Sequence, residues 1–223
     1  MIPLKDDKPE TGPAWVTYTL VLLLLVVYLW DRRWRLLGEP LVFSDLAARP
    51  LEIKNALKGG DKEPLITIFT SNFLHATPQH IIGNLLFLSA FGPRVESWMG
   101  PFRFVLYYLF FGVAAVAAQI WVNPNSGIPM LGASGAIAGV MGAYLLLFPA
   151  ARIQTIVPPL FFFKFELPAW LLLSMWFLFQ IFLSQPGVAN WAHVGGFLAG
   201  MVVVLIMDRW PKDNGRSREA LST

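Results

Sequence analysis

Three histidines, a serine and an asparagine stand where an otherwise apolar chain has little use for them. His75, His80 and His193 fall at or near the starts of long apolar runs. Ser134 opens another run, between Gly132-Ala133 and Gly135, and Asn84 follows His80 by four residues. On a helix that spacing puts His80 and Asn84 on one face. These residue types suit acyl transfer. A serine hydroxyl is a weak nucleophile and needs a base to take its proton. A neutral histidine serves as that base near physiological pH. The tetrahedral intermediate then needs donors for its oxyanion. His80 and Asn84 can donate from their side chains, and the Ser134 amide, at a helix N-terminus, adds a third. No Asp or Glu sits beside His193 in sequence, so the expectation is a Ser134–His193 dyad without a carboxylate.

Such residues act only if the elements that carry them converge. The chain is 56% apolar and 14% charged, against roughly 25% charged in a soluble domain. Charges gather near the N-terminus, between residues 31 and 63, and after Asp208. That pattern predicts an all-α, polytopic membrane protein. Six spans are expected, at 14–30, 78–98, 102–122, 134–148, 168–183 and 189–207. Thr77 is placed to cap the second, with Pro78 in its first turn. A 1–13 tail precedes the membrane domain of 14–207, and a disordered 208–223 tail follows it. The long first loop, 31–77, is too apolar for a solvated linker and is expected to lie partly in the membrane interface or on the helices. The segment 184–189 reads as a mobile cap.

Gly135 and Gly139 in the fourth span, and Gly196 and Gly200 in the sixth, form GxxxG pairs. Small residues let helix backbones approach closely in lipid, so these two spans are expected to touch. Spans two, four and six run in the same direction, and each carries its polar group near its start. His80 with Asn84, Ser134 and His193 should therefore share one depth. Taken singly, each has a plainer reading. A span serine usually bonds the preceding turn, and glycines simply pack. The joint pattern is harder to explain by packing, because costly polar groups in a membrane are usually functional.

Ten cations fall on the side of the two termini and seven on the other, all seven in the long loop. The positive-inside rule then puts both termini in the cytoplasm. With no cysteine, thiolate nucleophiles and Cys-ligated zinc are excluded. No HExxH motif stands for a zinc protease, no Asp pair lies within spans, and no basic patch suggests nucleic acid.

Three motifs together resemble the rhomboid intramembrane serine proteases. They are Gly132-Ala133-Ser134-Gly135, His75-x4-His80-x3-Asn84, and Ala192-His193-x-Gly195-Gly196; Gly92-x3-Glu96-x3-Gly100 is also similar. The resemblance covers about 65–207. It implies a six-span rhomboid-like bundle, with Ser134 as nucleophile, His193 as general base, and His80, Asn84 and the Ser134 amide as oxyanion hole. His75 would support the site, Glu96 would tie helix ends together, and Gly132, Gly135 and Gly196 would complete the motifs. It implies membrane-spanning protein substrates with small or helix-breaking residues at their helix ends. It implies no cofactor and no metal, and a setting in membrane lipid; the compact chain, in which no transit peptide is read, suggests a prokaryotic plasma membrane. Many members carry an aromatic ring four residues after the nucleophile, packed on the catalytic imidazole; here that position is Ala138. Their Trp-Arg pair in the first loop is replaced by Leu65-Ile66-Thr67. The alternative is a non-catalytic relative that binds or escorts membrane clients, and such relatives tend to lack the Ser or the His. A transporter or channel would show internal repeats or mid-span charges, which are missing.

Overall fold

Six longer helices occupy the six stretches read as spans. In a computed structural model, which describes residues 2–6, 12, 14–39, 43–156, 163–183 and 187–209, they are α1 (Trp15–Asp31), α2 (Pro78–Met99), α3 (Pro101–Val122), α4 (Ser134–Leu147), α5 (Ala169–Phe182) and α6 (Asn190–Arg209). Residues 210–223 of the expected disordered tail and 184–186 of the expected cap lie outside the described residues. The helix ends follow from local chemistry. The Thr77 side chain accepts from the His80 amide, with Pro78 at the first helical position. Gly100, at φ +80°, breaks the path between α2 and Pro101 of α3. α3 and α6 (to Met207) are long and apolar enough to cross a membrane, while α1, α4 and α5 are apolar but shorter.

The chain is mostly helical, yet the all-α expectation needs correction in one place. Strands β1 (Ile2–Asp6), β2 (Arg152–Ile156) and β3 (Lys164–Pro168) form an antiparallel sheet in the order β1-β2-β3. Its sequence signal is weak, because each strand has only five residues. The strand read as part of an N-terminal tail is therefore paired. Asp6 anchors it, accepting from Arg94 Nη1 at 2.8 Å and from the Tyr144 hydroxyl.

α4 forms the centre. Gly135 to Tyr144 are all buried, and α2, α3, α5 and α6 pack around them. A Cβ on Gly196 would overlap the Gly135 carbonyl oxygen, and one on Gly200 the Gly139 carbonyl oxygen. α4 and α6 thus meet backbone to backbone, as only glycine permits. The first loop folds onto the bundle. Its short helices Phe43–Leu46 and Pro50–Leu57 lead to Ala48 and Ile53, which pack on Val116 of α3. Arg32, only 2% exposed, closes the loop by donating to the carbonyls of His75 (2.8 Å) and Ala76 (2.7 Å).

Candidate active site

Ser134 is the first residue of α4, so its amide has no partner within the helix. The turn before it is held from outside. Gly132 donates its amide to Ser71 O (2.8 Å), and Met130 pairs with Ala48 across a short bridge. Gly132 sits at φ +121°, and a Cβ there would stand 2.6 Å from His80 Nε2 and 3.6 Å from Asn84 Nδ2. Glycine is therefore required twice, by its backbone and by the imidazole above it.

His193 lies one turn into α6. Its Nε2 is 2.8 Å from Ser134 Oγ, and its Nδ1 is 2.7 Å from Gln180 Oε1 of α5. The α4–α6 glycine contact brings the first pair into reach. Gln119 of α3 fixes the start of α6 by accepting from the Ala192 amide at 3.2 Å. The ring that an aromatic at position 138 would have supplied comes from another helix. Ala138 is fully buried, and Trp176 of α5 faces the His193 imidazole with centroids 5.7 Å apart. Sequence reading missed Trp176, Gln180 and Asn190. A signal existed for Gln180, a strongly polar residue in the apolar run of α5.

His80 and Asn84 both face the turn before Ser134. Asn84 is buried, and its Nδ2 has no hydrogen-bond partner among the described residues. Leaving such a donor unpaired costs about 1–3 kcal/mol. His75 packs edge-on against His80, with ring centroids 5.0 Å apart. Burial, then the neighbouring His80, push its imidazole down to about 3, so it stays neutral. Glu96 is away from these groups: its two oxygens accept from the Val16 (2.9 Å) and Thr17 (2.7 Å) amides, capping α1.

A cavity of about 550 Å³ joins these parts. Ser134, His193, His80, Asn84, Gly132 and Trp176 line it, and Gly187 to Ala189 of the expected cap border it. Among the described residues, no group of three or more His, Asp or Glu side chains is arranged to hold a metal ion.

Residues 62–210 match the family model described as Rhomboid domain, and the chain belongs to the rhomboid family. It is 31% identical over 166 residues to RHOMBOID-like protein 6, mitochondrial, of Arabidopsis thaliana, covering 73% of this chain and 49% of the relative. It is 29% identical over 136 residues to Rhomboid protease GluP of Bacillus subtilis (60% of this chain, 24% of the relative). To Rhomboid protease AarA of Providencia stuartii it is 27% identical over 210 residues (86% and 72%). The chain spans 49, 40 and 37% of the length of three of the relatives it matches, about half or less. With its apolar helices, family membership makes it a membrane protein.

Proposed function

We propose that this chain is an intramembrane serine endopeptidase that cleaves membrane-spanning proteins near the extracytoplasmic face. One observation carries the reading: Ser134 Oγ and His193 Nε2 lie 2.8 Å apart on the wall of the cavity. That distance suits direct proton transfer. Ser134 Oγ attacks the scissile carbonyl carbon as its proton passes to His193 Nε2. The new oxyanion accepts from Asn84 Nδ2, His80 and the Ser134 amide. The peptide C–N bond breaks as His193 returns the proton to the leaving amine. Water then attacks the ester by the same route and frees Ser134.

The six helices act as six spans in this reading, with the bundle in a prokaryotic plasma membrane and both termini in the cytoplasm. The pairing of β1 with the α4–α5 connection fits an even number of crossings by α1 to α4. α4 has 14 residues and rises about 21 Å, short of a hydrocarbon core of about 30 Å. Its first residue, Ser134, then sits below the membrane surface, where only an unwound substrate segment reaches it.

The test compares purified wild type, Ser134→Ala and His193→Ala on a single-span substrate in liposomes. Cleavage by wild type should fall at least about a thousand-fold in either variant. A fluorophosphonate should label wild type alone. A wild type that neither cleaves nor takes the label sinks the reading in favour of a client-binding relative.

A further inference from the structure

We propose that Gln180 is a positioning residue that holds His193 in the tautomer able to take a proton from Ser134. The inference rests on the protease reading above. It begins at two backbone carbonyls. Asn190 Nδ2 lies 3.1 Å from Gln180 O and 3.0 Å from Leu183 O. A carbonyl oxygen can only accept, so the amino side of the Asn190 amide must face them. The same amino group stands 3.4 Å from Gln180 Oε1. Were the Gln180 amide reversed, two amino groups would face each other. Gln180 therefore presents its oxygen, 2.7 Å from His193 Nδ1.

An acceptor at that position requires a hydrogen on Nδ1. A neutral imidazole carries one such hydrogen, so Nε2 is left with a lone pair. That lone pair faces Ser134 Oγ at 2.8 Å, and the hydroxyl donates to it. Direction thus runs unbroken from the end of α5 to the nucleophile. A third group that orients the base is common in serine hydrolases, where it is usually a carboxylate. An amide oxygen does the same for tautomer choice without burying a charge. When His193 is protonated, Gln180 keeps accepting from Nδ1.

Gln180 is not among the residues lining the cavity, whereas Trp176 and His193 are. It acts through the imidazole and not on substrate. Position 138 offers only a methyl group, whereas α5 supplies both a ring tilted against the imidazole, Trp176, and the acceptor, Gln180.

The test uses the full chain with 15N-labelled histidine in micelles. The protein has three histidines, and His193→Ala assigns the signal of interest. Wild type should report a proton on Nδ1 of His193. Gln180→Met, similar in shape but without the acceptor, should shift His193 towards the other tautomer while His75 and His80 keep their signals. Its kcat for cleavage should fall on the order of ten- to hundred-fold, with KM within two-fold. Gln180→Glu, which restores an acceptor, should recover the Nδ1 proton and most of kcat. An unchanged His193 tautomer in Gln180→Met overturns the proposal. If that variant also disturbs His75 and His80, Gln180→Glu decides, and an Nε2-protonated His193 there overturns it. A wild type that does not cleave defeats the protease reading alone, because the tautomer is read without turnover.

Discussion

At the scale of single residues, the site combines one pair already in contact with a donor that lacks a partner. Ser134 and His193 are joined, whereas Asn84 Nδ2 is buried and, among the described residues, unpaired. An unpaired donor gains most when negative charge develops beside it, so its contribution should fall on kcat. Asn84→Ala and His80→Ala should each lower kcat by about a hundred-fold or more and leave KM nearly unchanged. Steady-state cleavage of a fluorogenic membrane substrate measures both constants. A rise in KM with constant kcat would place these side chains in substrate binding. The candidate residues Ser134, His193, His80 and Asn84 were legible in the sequence as polar types in apolar runs, and they line one cavity. The partners of His193 beyond Ser134 were not, because Gln180 and Trp176 reach it across a helix interface that linear spacing does not encode.

At the scale of elements, the site depends on how closely α4 and α6 approach. A Cβ at Gly196 or Gly200 would collide with a backbone carbonyl of α4, which cannot move as a side-chain tip can. Gly200→Val should therefore separate the helices and draw His193 away from Ser134. We expect fluorophosphonate labelling to fall at least about a hundred-fold, since a shift near 1 Å costs that much. Thermal unfolding should drop in parallel. Gly83→Ala of α2, where a Cβ would meet nothing within 4 Å, is the matched control with near-normal unfolding. The existence and approximate ends of the long helices were legible because apolar run length marks them, and Thr77-Pro78 marks the start of α2. The sheet was not, since five-residue strands carry little periodicity and β1 pairs with a segment some 150 residues away.

At the scale of the whole molecule, the sheet and the site occupy opposite ends of α4. Tyr144, which reaches Asp6 beside the sheet, lies ten residues beyond Ser134, about 15 Å along the helix. In the proposed topology both termini and the α4–α5 connection face the cytoplasm, and the α3–α4 loop the other side. The chain has no cysteine, so single introduced cysteines report cleanly. In intact cells an impermeant maleimide should modify Ser126→Cys, while Lys164→Cys should react only after lysis. The reverse pattern would invert the topology, and equal labelling of both would contradict a crossing by α4, the one long helix between the two positions.

Local signals in the chain were enough to read a helical membrane protein, to place its long helices approximately, and to single out Ser134 and His193 as candidates for chemistry. These follow from apolar run length, turn residues and residue chemistry, all of which are local. Long-range packing was needed to see that the N-terminal strand completes a sheet, that Arg32 closes the first loop, and that Trp176 and Gln180 of α5 meet His193 where Ala138 offers no ring. Those facts depend on contacts between segments far apart in the chain. Which side chain fills a given space is set by how closely helices can pack, and here the glycines of α4 and α6 set that distance.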